Sequence, residues 1–127
     1  MACCLVRLMR VGVPHRSLAQ LKDLDALLKP HQLVRGRRDC RRDPELEGLL
    51  AWGHKPSGCW ALKEANQRGL ALLRCEDGFL RSVGSSIEAP TLSLVVDQLG
   101  IYYDATRISL LDRLMPQELS INQQSRA

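Results

Sequence analysis

The sequence predicts an α/β fold, a Rossmann-like parallel sheet with flanking helices. Three observations carry that expectation. The 127 residues make one ordinary domain and too little for two. Leu49-Leu50-Ala51-Trp52 and Leu70-Ala71-Leu72-Leu73 are unbroken apolar runs, each too short for a helix. A sheet wet on one face would alternate instead, so both strands are expected to be covered on two sides. Between them lies a stretch at helical spacing, with Cys59, Leu62 and Ala65, opened by Pro56-Ser57 and stopped by Gly69. Strand, helix and strand in that order form a crossover between parallel neighbours, right-handed by the chirality of twisted sheets.

The other elements come in chain order. Val11-Gly12-Val13 reads as a short first strand. Ser17 caps an amphipathic helix carrying Leu18, Leu21, Leu24, Leu27 and Leu28, which Pro30 ends. Leu33-Val34 reads as a second short strand, followed by an Arg-rich loop. A polar, glycine-containing loop extends from Glu76 to Pro90. Leu92 to Val96 forms a further strand, Ile101-Tyr102-Tyr103 a brief one, and Leu110, Leu111 and Leu114 begin a final helix. One Rossmann-like α/β unit thus covers residues 1–114, with residues 115–127 as a polar tail. The aromatics Trp52, Trp60, Phe79, Tyr102 and Tyr103 all fall in the middle of the chain. Aromatic rings supply much of a core's burial, so the organised centre is expected there.

Composition narrows the class. Hydrophobic residues are 45% and charged residues 25%, a globular balance that excludes disorder and fibrous architectures. No apolar run reaches the roughly 18 residues of a membrane span, and arginines interrupt the first ten residues, which makes a poor secretory signal. Five cysteines, an odd number with no C-x-x-C pair, fit a reducing compartment and neither a disulfide framework nor a zinc module. Cys40 reads as a bystander, Cys59 and Cys75 as small core residues. The net charge of +4 comes mostly from Arg35, Arg37, Arg38, Arg41 and Arg42. Such a cluster can meet a polyanion. Asp39, Asp43 and Glu45 interleave it and no neighbouring aromatic offers base stacking, so a solvated loop is the better reading and nucleic acid a poor one.

In open parallel sheets ligands bind outside the carboxyl ends of the strands. The residues just past each strand are therefore informative: Gly53-His54-Lys55, then Glu76-Asp77-Gly78, then Asp97. If these three strands run parallel, a histidine, a lysine and three carboxylates share one edge. Adjacent Glu76 and Asp77 repel, which suits one of them to proton transfer; alternatively Asp77-Gly78 is a turn and Glu76 a solvated neighbour. Arg81-Ser82 either grips a carboxylate or phosphate in two parallel hydrogen bonds or makes an ion pair with Glu76 or Asp77. His54 and Lys55 either face an anion at the opening of the following helix or flank a surface turn. Asp97 either accepts from a sugar hydroxyl or caps the next loop. Tyr102, Tyr103 and Asp104 either set a ring and a hydroxyl beside a sugar or pack one tyrosine into the core. No G-x-G-x-x-G, Walker loop, G-x-S-x-G or metal-ligand spacing is present, so no resident cofactor is expected.

Four separated strings in fixed order add a resemblance. Trp52-Gly53-His54-Lys55-Pro56-Ser57, Glu76-Asp77-Gly78-Phe79-Leu80-Arg81-Ser82, Leu92-Ser93-Leu94-Val95-Val96-Asp97 and Gly100-Ile101-Tyr102-Tyr103-Asp104-Ala105 resemble the capsule polysaccharide biosynthesis and export family of the KpsC/LipA type. The likeness is good over residues 48–112 and loose over 9–47. It implies cytoplasmic, membrane-associated glycosyltransferases of Gram-negative bacteria that use CMP-Kdo to build a β-linked Kdo linker on a lysophosphatidylglycerol acceptor. Their modules pair two Rossmann-type halves across a cleft and retain anomeric configuration. A retaining route is most simply a double displacement through a carboxylate.

A complete module is more than twice as long as this chain, so the resemblance implies a fragment without the nucleotide-binding half. The family's nucleophile is then expected downstream, leaving Glu76 or Asp77 as acid/base or acceptor-side groups and no turnover by this chain alone. Kdo and the CMP phosphate are anionic, which gives His54, Lys55 and Arg81 something to hold. The rival function is a non-catalytic fragment that docks to capsule-assembly and export partners, or to an anionic membrane surface through Arg35 to Arg42.

Overall fold

The computed structural model describes residues 7–78 and 91–115. Arg81, Ser82, Phe79, Cys3, Cys4 and nearly all of the expected polar tail lie outside the described residues. Five strands form a single sheet: β1 (Arg10–Val13), β2 (Gln32–Arg35), β3 (Gly48–Trp52), β4 (Ala71–Asp77) and β5 (Leu94–Asp97). Their order across the sheet is β2-β1-β3-β4-β5. The first four run parallel, and β5 runs antiparallel to β4. The fold is α/β with a mostly parallel sheet, as the apolar runs predict.

Both faces of the sheet are covered, for the reason that the strands do not alternate. On one face Val11, Val13, Leu50, Leu73 and Cys75 pack under Leu18, Leu24 and Leu28. These last three come from the helices α1 (Arg16–Ala19) and α2 (Leu24–Leu27) and the residue after them. On the other face Leu49 and Ala51 meet Cys40, Ala61 and Ala65, brought by α3 (Arg37–Arg42) and α4 (Pro56–Arg68), and Leu46 from the connection between α3 and β3. Pro56 opens α4, and Gly69 closes it in the left-handed region at φ 66°. A last short helix, α5 (Leu110–Leu114), begins at a capping box between Ser109 and Asp112.

Several expectations need correction. The leucine stretch after Pro14 is two four-residue helices and not one, and Ser17 is no cap; its hydroxyl meets the His15 ring. The Arg-rich segment is helix α3. It holds together because Cys40 is fully buried and Arg68 of α4 donates to the carbonyls of Cys40 and Asp43 at 2.8 and 2.5 Å. Glu76 and Asp77 end β4 and do not begin a loop, since β5 pairs with them. Ile101 to Tyr103 is a turn, and the strand expected from Leu92 starts at Leu94. The core is aliphatic: no described aromatic is among the buried residues, and residues 11–50 supply much of it. The organised centre is therefore not confined to the aromatic middle.

Candidate functional site

Where β3 ends, the chain reverses tightly. Gly53 takes φ +44°, a region open to glycine and strained for other residues. Its N–H donates to the Cys75 carbonyl at 2.9 Å, and its own carbonyl accepts from the Arg74 guanidinium at 2.9 Å. That clamp delivers His54 to the carboxyl edge of the sheet beside the end of β4. Glycine is also needed for space: a Cβ on Gly53 would stand 1.9 Å from Glu76 Oε1 and 2.5 Å from the Tyr103 hydroxyl.

Over this turn two polar pairs interlock. The Tyr103 hydroxyl donates to Glu76 Oε1 at 2.8 Å. His54 Nε2 lies 3.0 Å from Asp104 Oδ2. The rings of His54 and Tyr103 meet edge-on with centroids 6.0 Å apart, and Tyr102 stacks edge-on against Tyr103 at 5.4 Å. Desolvation of the Tyr103 hydroxyl, with the Glu76 carboxylate beside it, pushes its pKa up to about 12. The phenol thus keeps its proton at neutral pH and is a hydrogen-bond donor there. Asp104 is held below the usual carboxylate range, first by the Thr106 hydroxyl and then by the Thr106 backbone N–H. Both bonds fall on Asp104 Oδ1, at 2.6 and 3.0 Å, leaving Oδ2 for the imidazole.

Such an arrangement can handle protons and hydroxyls. A carboxylate that fixes one imidazole nitrogen sets the ring's orientation and leaves Nδ1 to face a ligand. Glu76, bonded through one oxygen, keeps lone pairs to accept a proton from a hydroxyl within reach. Glu76 and Asp77 are successive strand residues, so their side chains leave opposite faces of β4. Of the two, Glu76 is the one bonded to Tyr103, and Asp77 is not without a partner of its own.

The structure gathers His54, Glu76, Tyr103 and Asp104 at one edge, with Tyr102 beside them. Lys55 turns back over the Trp52 ring at 5.3 Å. Asp97 is not on that edge. β5 runs the opposite way from the assumed direction, so its last residue pairs with Arg74, back inside β4. There the Asp97 carboxylate accepts from the backbone N–H groups of Leu99, Gly100 and Leu110 at 2.7, 3.1 and 2.6 Å. Of the two roles open to Asp97, the structure shows the loop cap. That cap bends the chain back, which is how Tyr103 and Asp104 reach the edge that Asp97 does not.

Sequence reasoning missed Arg74 and Thr106. A lone arginine inside an apolar strand run was the available signal for Arg74. The rule applied to the later strands covers equally the residues following β1 and β2, Pro14-His15-Arg16 and Gly36-Arg37, of which the sequence picks out only Arg37, as part of the basic cluster. No helix among the described residues is long and apolar enough to cross a membrane.

Comparison with known proteins gives a consistent picture. A family model described as capsule polysaccharide biosynthesis protein matches residues 47–127. The chain is 35% identical over 104 residues to the capsule polysaccharide modification protein LipA of Neisseria meningitidis serogroup B, covering 81% of this chain and 14% of that protein. It is 48% identical over 52 residues to the lipopolysaccharide-processing protein LpsZ of Rhizobium meliloti, covering 40% of this chain and 12% of the relative. Among solved structures it is similar to the KpsC β-Kdo 2,4 transferase of Thermosulfurimonas dismutans, with TM-score 0.76 and 37% identity, over 94% of this chain and 38% of that one. The chain thus spans about a seventh of the length of the curated relatives it matches. Four motifs in order, a sheet that superposes on a family member and a family match over more than half the residues agree: this chain belongs to the capsule polysaccharide biosynthesis protein family.

Proposed function

We propose that this chain is the acceptor-side, Rossmann-like half of a retaining β-Kdo transferase module, acting in capsular polysaccharide biosynthesis and export in the cytoplasm of a Gram-negative cell. The observation that supports it best is the meeting of His54, Glu76, Tyr103 and Asp104 at the carboxyl edge of a sheet similar to that of a β-Kdo 2,4 transferase. In this reading CMP-Kdo is the donor, and the phospholipid acceptor, or the Kdo linker growing on it, takes the sugar. The remainder of the module holds the nucleotide and the nucleophilic carboxylate. Glu76, steadied by Tyr103, takes the proton of the attacking acceptor hydroxyl, and the imidazole of His54, aligned by Asp104, holds a sugar oxygen. Lys55 and Arg81 offset the negative charge of sugar acid and phosphate, and Ser82 and Asp77 offer further hydrogen-bonding groups to the substrates.

A chimaera tests this. Residues 7–115 replace the matching segment of a full-length family transferase, and Kdo transfer from CMP-Kdo is followed by mass spectrometry. The chimaera is expected to transfer, and the isolated chain is not. Glu76→Gln in the chimaera should lower kcat by about two to four powers of ten, the range for losing a positioned acid or base. Unchanged turnover in Glu76→Gln, or normal turnover by the isolated chain, overturns the assignment.

A second reading has its own observation. Arg37, Arg38, Arg41 and Arg42 of α3 surround Trp60 in an open groove of about 550 Å³. The guanidinium carbons of Arg37 and Arg41 lie 5.2 and 5.7 Å from the Trp60 ring centre. The aromatic that the sequence did not show near the arginines is thus supplied by α4. Arginine and tryptophan together suit an anionic membrane surface, at about 1 kcal/mol per basic residue. Sedimentation with phosphatidylglycerol vesicles should then be salt-sensitive and lost when the four arginines become glutamine. Equal binding to neutral phosphatidylcholine, or none to either, removes this reading.

A further inference from the structure

We propose that the cleft beyond the carboxyl ends of β1 and β2 is a second subsite, holding an oxyanion, carboxylate or phosphate, of the saccharide acceptor. It rests on the transferase reading above and adds a substrate group and the residues that take it. The strand order β2-β1-β3-β4 reverses direction of travel between β1 and β3. The connections on either side of that point leave in opposite senses and open a crevice, the usual place for a ligand in a parallel sheet. On the β3 side of the crevice stand His54, Glu76, Tyr103 and Asp104. On the β1 side lies a cleft of about 610 Å³, lined by Pro14, His15 and Arg16 after β1 and by Arg35, Gly36 and Arg37 at the end of β2. That volume suits a small saccharide.

Three guanidiniums and an imidazole line the cleft, and no carboxylate among the described residues does. Their states differ in a useful way. Arg35 is fixed as a wall: it donates to the Ala19 carbonyl and pairs with Asp25. Arg37 rests on the Trp60 ring at 5.2 Å, which holds it without neutralising it. Arg16 has no hydrogen-bond or ion-pair partner for its side chain among the described residues. His15 binds Ser17 through Nδ1 at 2.7 Å, so Nε2 remains available. The Gly36 N–H donates to the Val13 carbonyl at 2.9 Å and ties the two rims together. Two cations without carboxylate partners therefore stand on a braced frame, the arrangement that recognises a planar or tetrahedral oxyanion.

The test titrates the full chain with free Kdo, with its methyl ester and with inorganic phosphate, following backbone amide shifts. Kdo or phosphate is expected to saturate and to move the amides of residues 15–17 and 36–37. An Arg16→Gln, Arg37→Gln double variant should weaken that binding about tenfold or more, the loss of a charge-assisted hydrogen bond or two. Preference for Kdo over its ester and over phosphate assigns the group as a sugar carboxylate; preference for phosphate assigns a phosphorylated acceptor. Undiminished affinity in the double variant, equal affinity for acid and ester without phosphate binding, or no saturable binding of either anion overturns the subsite. His54→Ala separates the two ideas. Kdo binding lost in His54→Ala but intact in the double variant sinks the cleft and spares the transferase reading. Anion binding that depends on Arg16 and Arg37, in a chimaera that Glu76→Gln leaves fully active, does the reverse.

Discussion

Alanine at Gly53 is expected to take the candidate site apart while the sheet beneath it stays folded. The added Cβ meets Glu76 Oε1 at 1.9 Å and the Tyr103 hydroxyl at 2.5 Å, so both side chains must withdraw and their bond breaks. Alanine also inherits φ +44°, where L-residues cost about 1–2 kcal/mol. Loss of a hydrogen bond to a charged group adds about 1.5–3 kcal/mol. The total of about 2.5–5 kcal/mol is large against the stability of a small domain. Denaturant unfolding should show the midpoint falling with an unchanged slope. Tyr103→Phe removes one of the two clashing atoms, so the double variant should lose less than the sum of the singles. A Gly53→Ala protein with the parent midpoint, or strict additivity with Tyr103→Phe, would show that the turn does not carry the cluster.

That coupling explains why most of the site is legible in the sequence. His54 and Glu76 come from one rule: parallel buried strands deliver whatever stands at their carboxyl ends to a common edge. Leu49 to Trp52 and Leu70 to Leu73 announce such strands because each is apolar on both faces, and Leu50 and Leu49 do face different cores. Tyr103 and Asp104 are legible as a motif but reach the site by a route the sequence conceals. An apolar run carries no direction, and Leu94-Val95-Val96 fits a parallel or an antiparallel neighbour equally. One signal was there. A parallel neighbour needs a crossover of a dozen or more residues, usually a helix, whereas antiparallel strands do not. The stretch after Asp77 has glycines, serines and a proline but no helical period.

Helix α3 was hidden for a different reason. Arg37-Arg38-Asp39-Cys40-Arg41-Arg42 contains a single apolar residue, so no periodicity can be read from it. What makes it a helix is tertiary: Cys40 packs beside Leu46 and Leu49, and Arg68 caps its carbonyls from α4. Burial pushes the Cys40 thiol up to about 11, a mark of how fully it has left water. Propensity is a weak prior when a neighbouring element supplies the partner. The same holds for the aromatics. Trp52 and Trp60 lie at the margins of the two cores, where Lys55 rests on the first ring and Arg37 and Arg41 on the second.

Asp97→Ala is expected to be the most damaging single change at a polar position in the chain. The residue is 3% exposed, and its two oxygens accept from three backbone N–H groups that have no other acceptor among the described residues. Each donor left unmet costs about 1–3 kcal/mol when buried, so about 3–9 kcal/mol is at stake for the three, a large part of a small domain's stability. Asparagine is the informative comparison. It keeps one carbonyl oxygen for Leu99 and Gly100 but sets an amide N–H against that of Leu110, and should forfeit about half as much. Because Asp97 bends the chain that carries Tyr103 and Asp104, its loss should also free the His54 ring, visible as altered imidazole resonances while the β1 to β4 amides persist. The alternative role, a contact to a sugar hydroxyl, makes the opposite demand. There Asp97→Asn would retain its unfolding midpoint and the His54 resonances, and lose only ligand affinity. A carboxylate that is 3% exposed and already accepts from three main-chain donors has little capacity left for a ligand, and stability should fall before binding does.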